Sequence, residues 1–242
     1  MASPTRQRPR FTGLRPTRWA HPNEAVHNRL AYRVLEEVLA YAAGRYARGR
    51  LLDIGCGSKP WKELFEPFVD EHVGVDLVPS ARNPSAVDVI AGAYEIPLED
   101  GYADTILITS VLEHLEEPKR AIAECRRLLK PGGHMILTAP FIWPLHEQPR
   151  DFYRYTPDSL RYLLGEAGFE LLELEPLAGA WKTLALEISY ALRRYRRGAA
   201  TPLVDGTTRA VQWLGAHWEL VDFQPKFSWS HLTVSRVPPA AG

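Results

Sequence analysis

The segment LLDIGCGSKPW, residues 51–61, constrains the fold of this 242-residue chain more than any other segment. An apolar run leads into Asp53 and then into a turn with Gly55 and Gly57. Glycine allows a tight turn and lets the backbone come close to a ligand that lies over the end of a strand. The pattern therefore predicts a nucleotide-binding site at the carboxyl end of the first strand.

The residues of this turn favour one nucleotide over another. A dinucleotide fingerprint requires a third glycine at the place of Pro60, and the carboxylate of Asp53 would repel a pyrophosphate. A ligand with a cationic head suits the carboxylate better, because opposite charges attract. S-adenosylmethionine carries an ammonium and a sulfonium next to its adenosine, and it therefore fits this turn.

A second acid follows the next predicted strand. The strand EHVGVDL, residues 71–77, contains Asp76, which comes 23 positions after Asp53 (76 minus 53). This interval is close to the ~20 residues expected across one βαβ unit. Asp76 is either a solvated acid at the start of a loop or an acceptor for both ribose hydroxyls. Its position relative to the glycine turn favours the second interpretation.

Five segments follow one another in a recognisable order: LLDIGCG, VGVD, SVLEHLEEP, RRLLKPGG and HMILTAP. In this order they resemble the motifs of class I S-adenosylmethionine-dependent methyltransferases, over roughly residues 50–175, and in particular those of the type 11 methyltransferase family. The block HEQPRDFYRYT resembles a subgroup associated with polysaccharide and natural-product pathways. The resemblance implies a methyltransferase that acts on a small-molecule or saccharide acceptor, with oxygen as the preferred atom.

The resemblance also implies which residues contact the cofactor. In such families the glycine turn holds the methionine moiety, the acid after the second strand holds the ribose, and the loop after the third strand lies against adenine. The implied cofactor residues are Asp53, Gly55, Cys56, Gly57, Asp76, Leu77, Ala93 and Ser110. Relatives usually have an aspartate that accepts the adenine amino group where this chain has Gly92. Backbone amides around Ala93 or the side chain of Asp88 would replace it here.

Periodicity predicts alternating helices and strands. Apolar residues at helical spacing over 23–48 predict a long amphipathic helix, which by resemblance forms a lid over the cofactor. Pro118 begins a second helix that stops at residues 131–133, directly before the strand HMILTAP, and Thr156 starts a third. The expected fold is α/β, with a doubly wound, mostly parallel seven-stranded sheet that binds ligands at the carboxyl ends of its strands.

A helical insertion over about 178–226 precedes the last predicted strand, SHLTVSRV. Connections usually have ~4 to 6 residues, so a segment this long should contain helices of its own, near 181–197 and 207–222. The first of them ends in Arg193, Arg194, Arg196 and Arg197. These cations either favour a helix C-terminus and solvent or meet an anionic substrate or membrane surface. The sequence does not separate these alternatives, and a homodimer is also left open.

Composition limits the class of protein further. Basic and acidic residues number 29 each, so there is no electrostatic reason to expect a nucleic-acid substrate. The two cysteines, Cys56 and Cys125, form no disulfide framework and indicate a reducing cytoplasm. Cys56 has no accompanying histidine or asparagine arrangement, so we do not expect it to be a nucleophile. No apolar run approaches the ~18 residues that a transmembrane segment needs.

The first 22 residues contain five arginines, four prolines and no acid. This composition predicts a mobile basic arm over 1–22, without the apolar core of a signal peptide. The remainder, 23–242, is long enough and apolar enough to bury a full core, which predicts a single domain that includes the insertion.

Residues 140–157, PFIWPLHEQPRDFYRYTP, follow the fifth predicted strand and contain most of the candidate catalytic groups. An alcohol acceptor would gain ~10²- to 10⁴-fold from a general base. The candidate bases are His146, Glu147 and, after the fourth strand, His114, which alternatively is hydrogen-bonded within the fold. The candidate acceptor contacts are Trp143, Asp151, Tyr153, Arg154 and Tyr155.

Two features of this loop have structural alternatives. Asp151 and Arg154 either contact the acceptor or pair with each other and stiffen the loop. Tyr153 and Tyr155 alternate with Phe152, so we expect the tyrosines to face the acceptor or cofactor while Phe152 turns to the core.

No metal is predicted. Some ubiquinone-pathway methyltransferases have a further glutamate three residues before a Glu-His pair and bind a divalent metal with the group. This chain has Ser110 at that place, although Glu113, His114 and His146 are of residue types that bind metals.

Two other functions also fit the sequence. An enzyme that cleaves or cyclises S-adenosylmethionine without methylating would release methylthioadenosine in place of S-adenosylhomocysteine. A binding or scaffold protein on a decayed methyltransferase fold, which Gly92 would signal, would not bind the cofactor in calorimetry. A nucleic-acid methyltransferase ranks below these, and its binding to nucleic acid would fall steeply with salt.

Overall fold

The computed structural model describes residues 8–14, 25–78 and 83–239. The strands are β1 (Arg50–Ile54), β2 (Glu71–Asp76), β3 (Val89–Ile90), β4 (Ala103–Thr109), β5 (Leu129–Pro140), β6 (Glu170–Pro176) and β7 (Ser230–Arg236). The α-helices are α1 (Arg29–Tyr46), α2 (Lys62–Phe65), α3 (Pro118–Leu128), α4 (Pro157–Glu166), α5 (Ala180–Arg193) and α6 (Thr201–Val221).

The strands form one seven-stranded sheet in the order β3-β2-β1-β4-β5-β7-β6. The pairs β1–β2, β1–β4, β2–β3 and β4–β5 are parallel. At the other edge, Gly132 N donates to Val237 O and Val237 N donates to Gly133 O, so the start of β5 meets the end of β7. β7 therefore runs antiparallel, and the predicted doubly wound, mostly parallel sheet is confirmed. The strand order reverses between β1 and β4, where such sheets bind ligands.

The central strands β1 and β4 are mostly buried, and their sequences RLLDI and ADTILIT are largely apolar, as is usual in a parallel sheet. The helix α3 begins at Pro118 and buries Ala121, Ile122, Cys125 and Leu128 on one stripe. The helix α4 begins at the predicted cap, since Ser159 N donates to Thr156 Oγ1 over 3.1 Å. These local signals are strong enough to be read from sequence, and the predicted starts agree with the structure.

The third strand is shorter than the predicted VDVIA and has two residues. Asp88 lies directly before this strand: its N donates to Gly74 O at 2.9 Å, and its carboxylate accepts hydrogen bonds from Gly74 N at 2.7 Å and from Lys59 Nζ at 2.5 Å. Burial alone would raise the pKa of Asp88, but the bonds from Gly74 and Lys59 outweigh it and lower that pKa. Asp88 therefore serves the packing of β2 and is not placed to replace the missing adenine acceptor.

The chain divides into two compact units. The sheet unit contains residues 39–141 and 145–175 and the described residues from 231 onwards. The helical unit contains the described residues up to 38, residues 142–144 and residues 176–230. The predicted insertion over 178–226 does contain two long helices. It packs with the first part of α1 in a unit of its own, whereas a single domain was expected over 23–242.

Polar side chains fill much of the interior of the helical unit. Lys182 and Glu219 are fully buried and form an ion pair at 3.0 Å, and Lys182 Nζ also donates to Phe11 O at 2.5 Å. Burial lowers the pKa of Lys182, and the nearby carboxylate of Glu219 opposes that shift. The amide nitrogen of Gln212 donates to Val26 O and His27 O. Buried charges of this kind are tolerated because each is paired.

Residues 8–14 differ from the mobile arm that the sequence predicts over 1–22. Phe11 is buried, and Thr12 N donates to Glu37 Oε2 at 2.7 Å. An aromatic side chain within the basic segment gives it something to pack with, which composition alone does not show. The rest of the predicted arm, residues 1–7 and 15–22, lies outside the described residues. Among the described helices, none combines the length and the apolar character that crossing a membrane requires.

Candidate functional site

The two glycines of the turn after β1 are required for different reasons. Both have positive φ, +71° at Gly55 and +51° at Gly57, a conformation that favours glycine. A Cβ at Gly55 would lie 2.4 Å from Val111 Cγ2, so packing against the end of β4 excludes any side chain. A Cβ at Gly57 would meet no atom within 4 Å. The turn is therefore closed on its Gly55 side and open at Gly57.

Asp76 lies across the open side of this turn. Its carboxylate accepts from Gly57 N at 2.9 Å and from Leu77 N at 2.7 Å. A carboxylate has about four lone-pair positions, so it can accept two further donors while it holds both amides. The half-exposed Asp76 is thus suited to bind a vicinal diol such as that of a ribose.

Asp53 has an internal partner that its sequence position does not reveal. It is buried, and its Oδ2 lies 3.0 Å from His72 Nε2 on the neighbouring strand β2. The carboxylate was expected to attract the cationic head of a cofactor. In the structure one of its oxygens is engaged with His72.

The side chain of Cys56 faces the interior of the protein. Its Sγ lies 3.7 Å from Ala86 O, and burial raises the pKa of the thiol to about 12. The thiol is therefore protonated at neutral pH, which agrees with the expectation that Cys56 is not a nucleophile.

The loop after β3 presents an apolar surface where relatives usually have an aspartate. A Cβ at Gly92 would lie 3.4 Å from Leu77 Cδ2, which is ordinary contact. The side chain of Leu77 is exposed, and Ala93 is half-buried. An aromatic base can pack on such a surface without a carboxylate partner.

The end of β4 carries local strain. Ser110 has φ of +52°, in the left-handed region, and its N donates to Thr138 O at 3.1 Å. A non-glycine residue in this region costs roughly 1 to 3 kcal/mol and is typical of functional sites. Val111, the next residue, is the one that packs against Gly55.

Glu113 lies in the 3-10 turn Leu112–His114 and is fully buried. Within the described part of the chain, neither of its carboxylate oxygens has a hydrogen-bond partner. Burial raises the pKa of Glu113 to about 8, and the guanidinium of Arg154 only partly opposes the shift. The carboxyl group is therefore protonated at neutral pH.

Two imidazoles meet at this carboxyl group. The Nε2 atoms of His146 and His114 lie 3.8 and 3.9 Å from Glu113 Oε1, and the two rings are edge to face at 4.8 Å. His114 Nδ1 lies 2.5 Å from Arg150 O, so this nitrogen donates a hydrogen bond to the carbonyl. Burial lowers the pKa of His146, although Asp151 opposes the shift. Neutral His146 can thus accept a proton.

Asp151 and Arg154 form the structural pair that was one of their two predicted roles. Arg154 donates to both carboxylate oxygens of Asp151, at 2.6 and 2.8 Å. These bonds hold the pKa of Asp151 well below its usual range. Asp151 Oδ2 also accepts from His146 N at 2.9 Å and lies 3.5 Å from His146 Nδ1. The pair therefore positions His146.

The predicted inward orientation of Phe152 is wrong, and Tyr155 takes the inward position. Phe152 was expected in the core, yet it is exposed. Tyr155 is buried, and its hydroxyl donates to Leu112 O at 2.9 Å. The reason is backbone pairing, because Phe152 N donates to Glu113 O and Tyr155 N donates to Pro140 O. Tyr153 is exposed, with its hydroxyl 3.0 Å from Glu116 O.

Trp143 and Glu147 differ from the other candidates in their surroundings. Trp143 belongs to the helical unit, where its ring lies 5.0 Å from Tyr190 and 5.1 Å from Trp229. Glu147 has φ of +52°, and its side chain is 75 % exposed, with Oε2 3.7 Å from His114 Nε2. A carboxylate in solvent is poorly suited to act as a base in a closed site.

The group Glu113, His114 and His146 has the composition of a metal site. Their ligand atoms lie within 4.8 Å of one another. The ligand atoms of a tetrahedral zinc ion lie about 3.4 Å apart, given Zn–N distances near 2.1 Å. The spacing in this cluster is wider than that.

The burial of Glu113 and the partner of Asp53 are not foreseen from sequence. A Glu-His pair at the end of a strand usually indicates a polar loop. The sequence suggests no role for Glu113 other than that of a metal ligand. The one available signal is its place between the apolar residues Leu112 and Leu115, within VLEHL. His72 gives no comparable signal, because its contact with Asp53 depends on strand register.

A parallel α/β sheet, an open glycine turn after β1 and an acid at the end of β2 define a nucleotide-binding protein of the doubly wound class. A family model described as a methyltransferase domain matches residues 26–174, which is more than half of the chain. The chain belongs to the class I S-adenosylmethionine-dependent methyltransferases, a family whose cofactor is S-adenosylmethionine.

Individual relatives agree with this family. A probable S-adenosylmethionine-dependent methyltransferase of Mycolicibacterium smegmatis is 31 % identical over 63 % of this chain and 60 % of its own length. A ubiquinone biosynthesis O-methyltransferase of Cereibacter sphaeroides is 29 % identical over 61 % of this chain and 74 % of its own length. In three curated relatives the alignment spans only 46 %, 63 % and 60 % of the relative.

Among solved structures, the cyclase SpnF has a similar fold. The TM-score is 0.60, with 23 % sequence identity over 92 % of this chain and 86 % of the other. At this identity the likeness shows the fold alone.

Proposed function

We propose that this protein transfers the methyl group of S-adenosylmethionine to an oxygen atom of a small-molecule or saccharide acceptor. One observation carries the proposal. Neutral His146 and its buried partner Glu113 lie beside the end of β4, which packs against the glycine turn. Val111 packs against Gly55, and Glu113 and His114 follow it directly. All these residues belong to the sheet unit.

Different residues bind the methionine, ribose and adenine parts of the cofactor. Residues 55–57 hold the methionine moiety, Asp76 holds the ribose hydroxyls, and Leu77 and Ala93 lie against adenine. S-adenosylmethionine supplies an electrophilic methyl group on sulfur. The strained turn at Ser110 fixes the end of β4 next to that group.

His146 removes the proton of the acceptor hydroxyl as the new bond forms. The oxygen–methyl bond forms while the sulfur–methyl bond breaks, and the proton moves to His146 Nε2. The products are a methyl ether and S-adenosylhomocysteine. Asp151 lies 3.5 Å from His146 Nδ1 and stabilises the imidazolium, as a carboxylate does behind other catalytic histidines.

The oxygen acceptor is supported by a relative named for O-methylation in ubiquinone biosynthesis. A base is useful for a hydroxyl acceptor and superfluous for a carboxylate. The balance of 29 basic and 29 acidic residues gives no support to a nucleic-acid acceptor. Both cysteines are free and buried, which suits a reducing cytoplasm.

A screen with radiolabelled methyl donor tests the proposal directly. The purified protein is incubated with labelled S-adenosylmethionine and panels of sugars, nucleotide sugars and phenols. We expect S-adenosylhomocysteine and a labelled methyl ether in equal amounts. Release of methylthioadenosine would instead show the non-methylating chemistry, and absence of cofactor binding in calorimetry would show a scaffold protein.

Exchange of Gly57 for alanine is expected to weaken cofactor affinity by at least about tenfold, because the added methyl enters the open space of the turn. Calorimetry with S-adenosylmethionine measures the effect. Gly198 is a matched control, since its φ of +50° is close to the +51° of Gly57 and its Cβ would also meet nothing within 4 Å. Both variants should lose about 1 kcal/mol of stability from the left-handed backbone. Equal cofactor affinities in the two variants would show that the cofactor does not bind at this turn.

Methyl transfer is expected to proceed without a divalent metal. The ligand atoms of the Glu113 cluster are wider apart than direct coordination needs, and Ser110 supplies no carboxylate. Turnover should therefore be unchanged after treatment with a chelator. If turnover is lost after chelation and returns when zinc or magnesium is added, the cluster binds a metal instead.

A further inference from the structure

The exposed side of α6 is mostly apolar, and its one exposed charged residue is Arg209, one turn before Trp213. The other exposed residues recur at helical spacing and are Pro202, Leu203, Gly206, Thr207, Ala210, Trp213, Leu214, Trp218, Leu220 and Val221. A surface helix of a protein in water usually presents charged residues outward. Here apolar residues dominate the exposed side of a helix of 21 residues, a length of about 31 Å at 1.5 Å per residue, and the single exposed charge is the cation of Arg209.

The exposure of this apolar face is large. Leu203 is 75 % exposed, Trp213 58 % and Trp218 57 %. Single exposed apolar residues are common, but a continuous row that includes two tryptophans marks an interaction surface. The helix α5 adds exposed Leu184 and Ile188, and exposed Tyr195 follows two residues after the end of that helix.

Arginines stand at the end of α5 from which the chain enters α6. Arg193, Arg194, Arg196 and Arg197 are all exposed, and Arg196 is bound to Asp205 at 2.8 Å. The guanidinium of Arg194 lies 5.1 Å from the ring centre of Tyr195, just beyond the end of α5. The apolar face of α6 thus begins next to a group of cations.

The charges of α6 decide between a second copy of the chain and another partner. The helix has two acids, and neither is available at the surface. Asp205 is held by Arg196, and Glu219 is buried against Lys182. A second copy that used this face would offer no carboxylate to the arginines, whereas the phosphates of an anionic lipid would.

We propose that the apolar face of α6, with Arg193, Arg194 and Arg197, docks on the surface of an anionic lipid bilayer. The helix lies in the plane of the interface, with Trp213 and Trp218 at the level of the headgroups, where tryptophan is enriched. The arginines meet anionic headgroups at one end of the helix. This proposal does not rest on the proposed function, because every residue in it belongs to the helical unit.

Vesicle flotation of the full chain tests the proposal. The vesicles are phosphatidylcholine alone or phosphatidylcholine with about 30 mol% phosphatidylserine, which gives a strongly anionic surface. We expect binding to the anionic vesicles and at least about tenfold weaker binding to the neutral ones, with a blue shift of tryptophan emission. The variant L203E/L214E places two carboxylates on the apolar face and is expected to lose at least about tenfold in binding.

Two further variants keep the result interpretable. Y162E introduces the same charge at a residue that is 55 % exposed in the sheet unit, and we expect it to bind as the unaltered protein does. R193Q/R194Q/R197Q leaves α6 intact and should reduce the preference for anionic vesicles. This variant therefore still tests the proposal if L203E/L214E does not fold. Failure of the unaltered protein to bind anionic vesicles would overturn the proposal. A dimer in sedimentation that L203E/L214E dissociates would also overturn it and assign the face to a second copy.

Discussion

The H146A variant is expected to turn over acceptor about 10²- to 10⁴-fold more slowly than the unaltered protein, with its affinity for S-adenosylmethionine unchanged. The loss follows from the removal of the group that takes the hydroxyl proton. The cofactor contacts of the glycine turn and Asp76 do not involve His146. Single-turnover rates with labelled cofactor measure the chemical step, and calorimetry measures the affinity.

The pH dependence of the same reaction identifies the base. Burial lowers the pKa of His146, so kcat/KM should fall on the acid side with a midpoint below 6.5, as the imidazole becomes protonated. Above that midpoint the imidazole is neutral and active. The H146A variant should lack this acid limb, and added imidazole should restore part of the rate.

H114A is the natural comparison, because both imidazoles face Glu113. His114 is tied by Nδ1 to Arg150 O, so we expect its loss to affect the rate less than the loss of His146. The reverse order would transfer the role of base to His114. Full turnover in both variants would contradict base catalysis by this cluster and would favour an acceptor that is already ionised.

The E113Q variant is expected to be more stable than the unaltered protein, by a margin that grows with pH. The pKa of Glu113 rises from 4.5 to about 8 on folding. Between these values the unfolded carboxyl is ionised while the folded one keeps its proton, so the free energy of unfolding falls as pH rises. The slope is about 1.4 kcal/mol per pH unit. The full shift amounts to about 5 kcal/mol.

Denaturant unfolding at pH 5, 7 and 9 checks this expectation. The difference in the free energy of unfolding between E113Q and the unaltered protein should increase up to about pH 8 and then level off, since Glu113 is ionised in both states above that pH. E99Q is the control, because Glu99 is exposed and its carboxylate stays in water in both states. A difference that does not vary with pH would show that Glu113 is ionised in the folded protein.

The parts of the fold that the sequence predicts are those with local causes. The glycine turn, the acid after β2, the start of α3 at Pro118 and the cap at Thr156 each depend on residues a few positions apart. Such signals survive folding because the same local geometry is needed whatever packs around it. The order of strands and helices follows from them, and the structure agrees with it.

The parts that the sequence does not predict depend on tertiary contacts. Alternation was expected to turn Phe152 inward, but hydrogen bonds from Phe152 N to Glu113 O and from Tyr155 N to Pro140 O fix the opposite orientation. The contact between Asp53 and His72 arises from the alignment of β1 with β2. The burial of Glu113 arises from the loop that covers it. None of these partners is near in sequence.

The buried polar pairs of the helical unit do not depend on the solvent at its outer surface. Lys182 is paired with Glu219, and Gln212 bonds to backbone carbonyls, so these polar groups find their partners inside the unit. Solvent water takes no part in these bonds. Replacing that water with hydrocarbon on the side of α6 would leave them unchanged and would remove only the unfavourable hydration of leucine and tryptophan. The buried pairs of this unit therefore do not depend on whether water or lipid covers α6.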